Sequence, residues 1–267
     1  MTQSTPENAS ATPVPGSDIL LRAADLGHAY GPRQVLTDLN FEVSRGELMC
    51  IVGPSGVGKT TLLECLTGLR KPSDGQVIFK GKPIDGPPRG LAIVFQDYSR
   101  SLMPWLSVLE NVTLPLRSAG MAKAEREAQA LEALAEVGLA ESAASYPWQL
   151  SGGMQQRVAI ARALAYRPDV IVMDEPFASV DAQTRADLED LLLRVRDHLG
   201  VSILLVTHDI DEAVYLSDRV LALGGKPASV KQILDIDLPS PRDQVSTKEL
   251  PRFGELRGQV YRLIRHG

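Results

Sequence analysis

Eight consecutive residues, Gly53-Pro54-Ser55-Gly56-Val57-Gly58-Lys59-Thr60, set glycines, a lysine and a hydroxyl at the spacing that phosphate binding requires. The glycines let backbone N–H groups close around phosphate oxygens, and a helix start just beyond them adds its dipole. Lys59 is placed to neutralise β- and γ-phosphates and Thr60 to ligate magnesium, with Thr61 completing the nucleotide-binding set. A second stretch runs the apolar, mostly β-branched Val170-Ile171-Val172-Met173 into Asp174 and Glu175. Apolarity on both faces suits a central parallel strand, and carboxylates at its end fall where open α/β sheets bind ligands. Asp174 is suited to hold magnesium, and Glu175 to orient and polarise an attacking water.

Positioning these groups needs a sheet with helices between its strands. Leu48 to Val52 reads as a buried strand that feeds the glycine loop, and Thr61 to Leu69 as the helix that leaves it. Ile19 to Leu26 and Leu36 to Val43 alternate as half-buried strands, with a turn at 28–32 between them. Gln76 to Lys80 and Leu91 to Phe95 read as further strands. The stretch from Val108 to Leu164 is helical in pattern, with Gly138 as one stop and Ser151 opening a second stripe. The sheet resumes at Val170 to Met173, Val201 to Val206 and Arg219 to Leu223. Between these strands lie a helix ending at Gly200 and another starting at Asp209. The pattern predicts one cassette, residues 19–225, with a helical insertion at 99–165. A flexible tail at 1–18 precedes it, and an extension at 226–267 carries an amphipathic helix from Pro251 to Arg265.

Composition narrows the class. At 267 residues, 44% hydrophobic and 23% charged, the chain is long enough for a substantial core. A net charge of −5 gives no electrostatic footprint for nucleic acid. Cys50 and Cys65 both lie in apolar settings, as buried reduced thiols of a cytosolic compartment do. No apolar run approaches the ~20 residues that a membrane span needs.

Leu150-Ser151-Gly152-Gly153-Met154-Gln155-Gln156-Arg157 turns a generic nucleotide binder into something narrower. This octet resembles the signature of the ATP-binding-cassette (ABC) family, and other motifs follow in the family's order. Gln96 stands after a strand like the Q-loop glutamine, and Asp181 stands in the D-loop position. His208 ends a strand like the switch histidine, and Tyr30 occupies the place of the aromatic that stacks on adenine. The resemblance covers about residues 19 to 225. It implies a P-loop, RecA-like α/β core with an N-terminal antiparallel β subdomain and an inserted helical subdomain. It further implies ATP and Mg2+ as cofactors, with Thr60, Gln96 and Asp174 at the metal, and Glu175, His208 and Gln96 in hydrolysis. Ser151, Gly152, Gly153 and Gln155 would close over ATP held by a second ATPase subunit, and Asp181 would lie at that homodimer interface.

A cassette without its own span requires separate membrane permease subunits, and in the family these dock beside the Q-loop. Here that surface includes residues 97–105, with Met103, Trp105 and Leu106 as an apolar cluster and Arg100 at its rim. This segment and Pro147-Trp148-Gln149 resemble ATPase subunits of nitrate, sulfonate and taurine importers. The expectation is therefore a peripheral ATPase on the cytoplasmic face of the inner membrane, powering uptake of a small anion delivered by a solute-binding protein. An importer of another small solute, such as a pyrimidine precursor, is the alternative. A non-transport ABC ATPase fits less well, because about ninety residues without sustained heptads separate Gly58 from Ser151, and only one cassette is present. The short extension also implies that the large regulatory domain of sugar-importer ATPases is not appended here.

Overall fold

The computed structural model describes residues 19–97 and 101–265. The tail expected at 1–18 and residues Tyr98, Ser99 and Arg100 of the expected docking segment lie outside the described residues. Two sheets organise the rest. The first is antiparallel, in the order β2 (Arg33–Ser44), β1 (Ile19–Tyr30), β4 (Asp74–Phe79), β5 (Lys82–Pro83). The second has six strands. Its order is β10 (Ser229–Asp235), β9 (Arg219–Gly224), β3 (Leu48–Val52), β8 (Ser202–Val206), β7 (Val170–Asp174), β6 (Leu91–Val94). All pairs in it are parallel except β9 with β10.

The central strands show why their sequences are apolar throughout. Leu48, Cys50 and Val52 of β3 pack into one hydrophobic cluster, while Met49 and Ile51 pack into another on the opposite face. Strand β7 divides the same way, with Ile171 and Met173 on one side and Val170 and Val172 on the other. The second cluster lies between this sheet and the antiparallel one, around helix α1 (Lys59–Leu66). The first extends under the helical insertion, formed by α2 (Val108–Ser118), α3 (Lys123–Glu136) and α4 (Gly152–Ala165). Among the described residues three further α-helices follow: α5 (Ala182–Leu199), α6 (Ile210–Leu216) and α7 (Pro251–Arg265). Phe253, Leu256 and Val260 of α7 are buried in the first cluster, so this amphipathic helix packs onto the cassette.

Three elements differ from the sequence expectation. The hairpin β1–β2 continues past Leu26 to Tyr30 and resumes at Arg33. Register shifts near Leu26 and His28, with Asp25 at φ +50°, break the alternation that marked its start. Helix α1 begins at Lys59 and ends by Thr67, because Gly68 at φ +72° turns the chain where any Cβ would meet Gly86 O at 2.3 Å. Strand β10 falls inside the segment expected to be an extension, so the main sheet continues past residue 225.

Candidate functional site

The phosphate loop is shaped by contacts that only glycine permits. A Cβ at Gly53 would meet Leu223 O at 2.8 Å, and one at Gly58, with φ +116°, would meet Leu36 Cδ2 at 2.9 Å. The loop is thus clamped between β9 and the antiparallel sheet, and it delivers Lys59 and Thr60 to the first turn of α1. The Lys59 ammonium is turned inward, donating to Gly53 O at 2.9 Å and Pro54 O at 3.3 Å. Burial lowers its pKa, against the pull of Glu175 and Asp174. Burial raises that of Asp174, against the Thr60 hydroxyl that donates to its Oδ2 at 3.2 Å. Both directions express one condition, charged groups held partly out of water beside a shared space.

That space is a cavity of about 420 Å3 lined by Tyr30, Arg33, Val35, Ser55, Gly56, Gly58, Lys59, Thr60, Thr61 and Glu175. Tyr30 is half exposed at its mouth, its hydroxyl 3.3 Å from Thr61 Oγ1 and its ring 4.9 Å from the Arg70 guanidinium. A cation–π contact thus holds the ring at the cavity. Arg33 and Val35, which line the cavity, and Arg70, which touches it only through the Tyr30 ring, escape sequence reasoning, since all three are brought there by tertiary contacts. The position of Arg33 directly after the Gly31-Pro32 turn is the one local hint.

Three residues far apart in sequence converge at one oxygen. Gln96 Nε2 donates to Glu175 Oε2 at 3.1 Å, and His208 Nδ1 stands 3.2 Å from the same atom. They lie at the carboxyl ends of three strands, β6, β7 and β8, which the topology places side by side. Glu175 adopts φ +45°, a left-handed conformation that costs a non-glycine residue ~1 kcal/mol or more. Its N–H donates to Val206 O at 2.8 Å, which holds that turn against β8. The strain turns the carboxylate across the strand ends and into the cavity that Lys59 lines.

For a divalent metal the candidate donors are Thr60 and Asp174, two hard oxygens already in contact, and the Gln96 amide, which reaches the neighbouring Glu175. Among the described residues no group of three or more His, Cys, Asp or Glu forms a metal cage. Magnesium suits this arrangement, because it is commonly held by one or two protein oxygens together with water and substrate phosphates.

The signature residues lie elsewhere. Ser151 caps α4, accepting from Met154 N–H at 3.3 Å, and it does not line the cavity around Lys59. Gly152 is exposed, whereas Gly153 is buried, and a Cβ there would meet Thr184 Cγ2 at 2.3 Å. That contact seats the signature helix directly on α5. Asp181 caps α5 through Gln183 and Thr184 N–H and accepts the Thr184 hydroxyl at 2.6 Å, a bond that lowers its pKa. The Gln155 amide donates to Pro147 O at 3.0 Å and Leu150 O at 3.2 Å. It holds the preceding loop, where the resemblance had implied contact with a partner's ATP. Of the expected docking cluster, Trp105 is 70% exposed and Met103 and Leu106 are half buried, while Leu102 is the anchor inside the lobe.

A glycine loop feeding a helix, a strand-end acidic pair and a converging glutamine and histidine define a P-loop nucleotide hydrolase with an inserted helical lobe. Sequence comparison names its family. Residues 36–178 match the profile of the ABC transporter family, and the chain belongs to it as an ATP-binding, ATP-hydrolysing cassette. The chain is 46% identical over 219 residues to the aliphatic sulfonates import ATP-binding protein SsuB 1 of Xanthomonas axonopodis pv. citri, spanning 82% of this chain and 86% of that one. It is 42% identical over 250 residues to the bicarbonate transport ATP-binding protein CmpD of Synechococcus elongatus, spanning 91% and 89%. The dimeric, post-hydrolysis structure of the cassette MJ0796 bound to ADP and Pi superposes with a TM-score of 0.70 at 34% identity, spanning 81% and 99%.

Proposed function

We propose that this chain is the ATPase subunit of an importer for a small anion of the nitrate, sulfonate or taurine kind. The observation that carries it is the Gln96–Glu175–His208 cluster facing the Lys59 cavity, in a chain so similar to sulfonate and bicarbonate transport ATPases. Glu175 takes the proton of the attacking water, His208 holds water and γ-phosphate in line, and Gln96 senses the result. Lys59 and the loop N–H groups bind the β- and γ-phosphates, and Tyr30 stacks on adenine. Thr60, Asp174 and Gln96 hold magnesium, which when bound neutralises charge on the transferred phosphoryl group.

Ser151, Gly152 and Gly153 present a helix N-terminus away from the chain's own phosphate site, which suits them to ATP held by a second copy. Two cassettes then bury two ATP molecules head to tail, with Asp181 at the seam. The signature-loop aromatics Tyr146 and Trp148 stack with centroids 6.0 Å apart, and Trp148, like Trp105, is 70% exposed. Ser145 O accepts from Val108 N–H, which brings the two exposed segments together on the helical lobe. This apolar patch docks the membrane permease. Among the described residues no helix is long and apolar enough to cross a membrane, in keeping with a peripheral subunit on the cytoplasmic face. A solute-binding protein and the permease choose the anion.

Deleting the gene tests this reading. Growth or uptake should fail on at least one of nitrate, an alkanesulfonate or taurine, with rescue by the wild-type gene and not by Lys59→Ala. Normal uptake of all three anions in the deletion strain contradicts the substrate class.

A further inference from the structure

His208 meets one described side chain, Glu175, and its ring is otherwise exposed, so its place depends on the backbone that carries it. That backbone is gripped from both sides. Thr207, 1% exposed, donates its N–H to Ile51 O at 3.2 Å and its hydroxyl to Glu212 Oε2 at 2.6 Å. Asp209 donates its N–H back to the Thr207 hydroxyl at 3.0 Å and caps α6 through Asp211 and Glu212 N–H. Arg185 then joins both acids from another helix. Its Nη1 donates to Asp209 Oδ2 at 3.1 Å, and its Nε stands 3.5 Å from Glu212 Oε1. Arg185 lies one turn into α5, and its own N–H donates to Asp181 O at 2.9 Å.

Resting on the ATPase reading above, we propose that Arg185 and Glu212 are positioning residues. They hold His208 against Glu175 and tie its placement to the Asp181 loop at the cassette seam. Helix α6 already has its cap in Asp209, so a second, buried carboxylate is not needed to start it. Burying Glu212 costs desolvation that an apolar residue of similar size would avoid. What the carboxylate adds is a link from α5 to Thr207, an ion pair to Arg185 on one side and a hydrogen bond from the Thr207 hydroxyl on the other, so a movement of the Asp181 loop is passed on to the histidine backbone.

The pH behaviour follows from the surroundings. Burial pushes the Glu212 carboxyl up to about 7, against the Thr207 hydroxyl bond. Asp209 on its own turn and Glu189 on α5 push it the same way as burial, whereas Arg185 pulls it down. Cys50 of β3, a buried neutral thiol, also faces it, and Arg257 of α7 is engaged by Asp211 at 2.7 Å. The ionised carboxylate keeps Arg185, and the protonated one releases it. Turnover should therefore drop as pH falls through about 7 by this route.

Steady-state Mg-ATP hydrolysis by the full chain, measured from pH 6 to 8.5 with melting temperature alongside, tests this. Arg185→Ala should lower kcat about tenfold or more, the scale of a small misplacement of a catalytic group. KM for ATP and the melting temperature should change little, and Arg185→Lys should recover part of kcat. Glu212→Gln, which mimics the protonated acid, should be slow at pH 8 and should lack the limb near pH 7 that the wild type shows. Wild-type kcat and an unchanged pH profile in both variants would overturn the relay, as would losses that merely track melting temperature. His208→Ala is the control: if it keeps turnover, the site reading itself fails, whereas its loss beside an unaffected Glu212→Gln condemns only the relay.

Discussion

Lys59→Ala probes the phosphate cradle most cleanly, because the structure separates its effect on binding from its effect on folding. Lys59 is 7% exposed, and its ammonium is satisfied by two carbonyls of its own loop. Burial lowers its pKa, so its removal relieves a desolvation cost while leaving Gly53 O and Pro54 O without this donor. These terms oppose each other, and the unliganded fold should change by only about 1 kcal/mol. With nucleotide the balance is different. Phosphate oxygens entering the cavity lose their buried cationic partner, a defect of the kind that costs ~2–5 kcal/mol. At 1.4 kcal/mol per decade, the dissociation constant should rise on the order of thirty- to several-thousandfold. Calorimetric titration of ATP into both proteins gives the ratio. Thermal melts should show ATP stabilising the wild type and leaving the variant unmoved. A variant binding ATP within about threefold of wild type would refute the argument, since a buried cation cannot face phosphate at so little consequence.

Gly153→Ala should disturb the seat of the signature helix, because the new Cβ would lie 2.3 Å from Thr184 Cγ2. The cost should be ~1–3 kcal/mol of stability, and Thr184→Ser, which removes that methyl and keeps the hydroxyl bond to Asp181, should recover most of it in the double variant. Met103→Ala with Trp105→Ala should abolish co-purification with the permease while the free subunit keeps its ATPase rate. A loss of several degrees in melting temperature would instead make these side chains part of the core. Glu212 also sets a sign for stability: a carboxyl raised from 4.5 to about 7 on folding keeps its proton longer in the native state. Its contribution is thus full below pH 4.5 and is lost as pH rises to 7, on the order of 3 kcal/mol in total. Denaturant melts should find wild type and Glu212→Gln about equally stable at pH 5, with the wild type falling below the variant at pH 8.

The cradle was legible because its chemistry is local: Gly53, Gly56, Gly58, Lys59 and Thr60 fall within eight consecutive residues, and the constraints on the glycines are backbone constraints. The strands β3, β7 and β8 were legible because burial on both faces leaves them uniformly apolar. Strand β10 was not, since its edge position leaves it half exposed, with Lys231 and Gln232 interrupting any pattern. Arg33 and Val35 reach the cavity because the hairpin folds over the loop, a contact between distant residues that no spacing encodes. Gln155 shows the opposite limit: its motif position was visible, but its hydrogen bonds to Pro147 O and Leu150 O were not. Arg185 and Glu212 lie 27 positions apart on separate helices, and only the packing of α5 against α6 shows that they meet.

The central claim is that Glu175 activates water for ATP held jointly by two copies of this chain. Glu175→Gln keeps the volume of the side chain and a carbonyl oxygen for Gln96, but it cannot accept a proton. Sedimentation of this variant with ATP and Mg2+, alongside its turnover rate, tests the claim directly. The account predicts a stable ATP-dependent dimer and hydrolysis slowed about a hundredfold or more, the range of general base catalysis. A variant that stays monomeric with ATP bound, or that hydrolyses ATP at the wild-type rate, would contradict it.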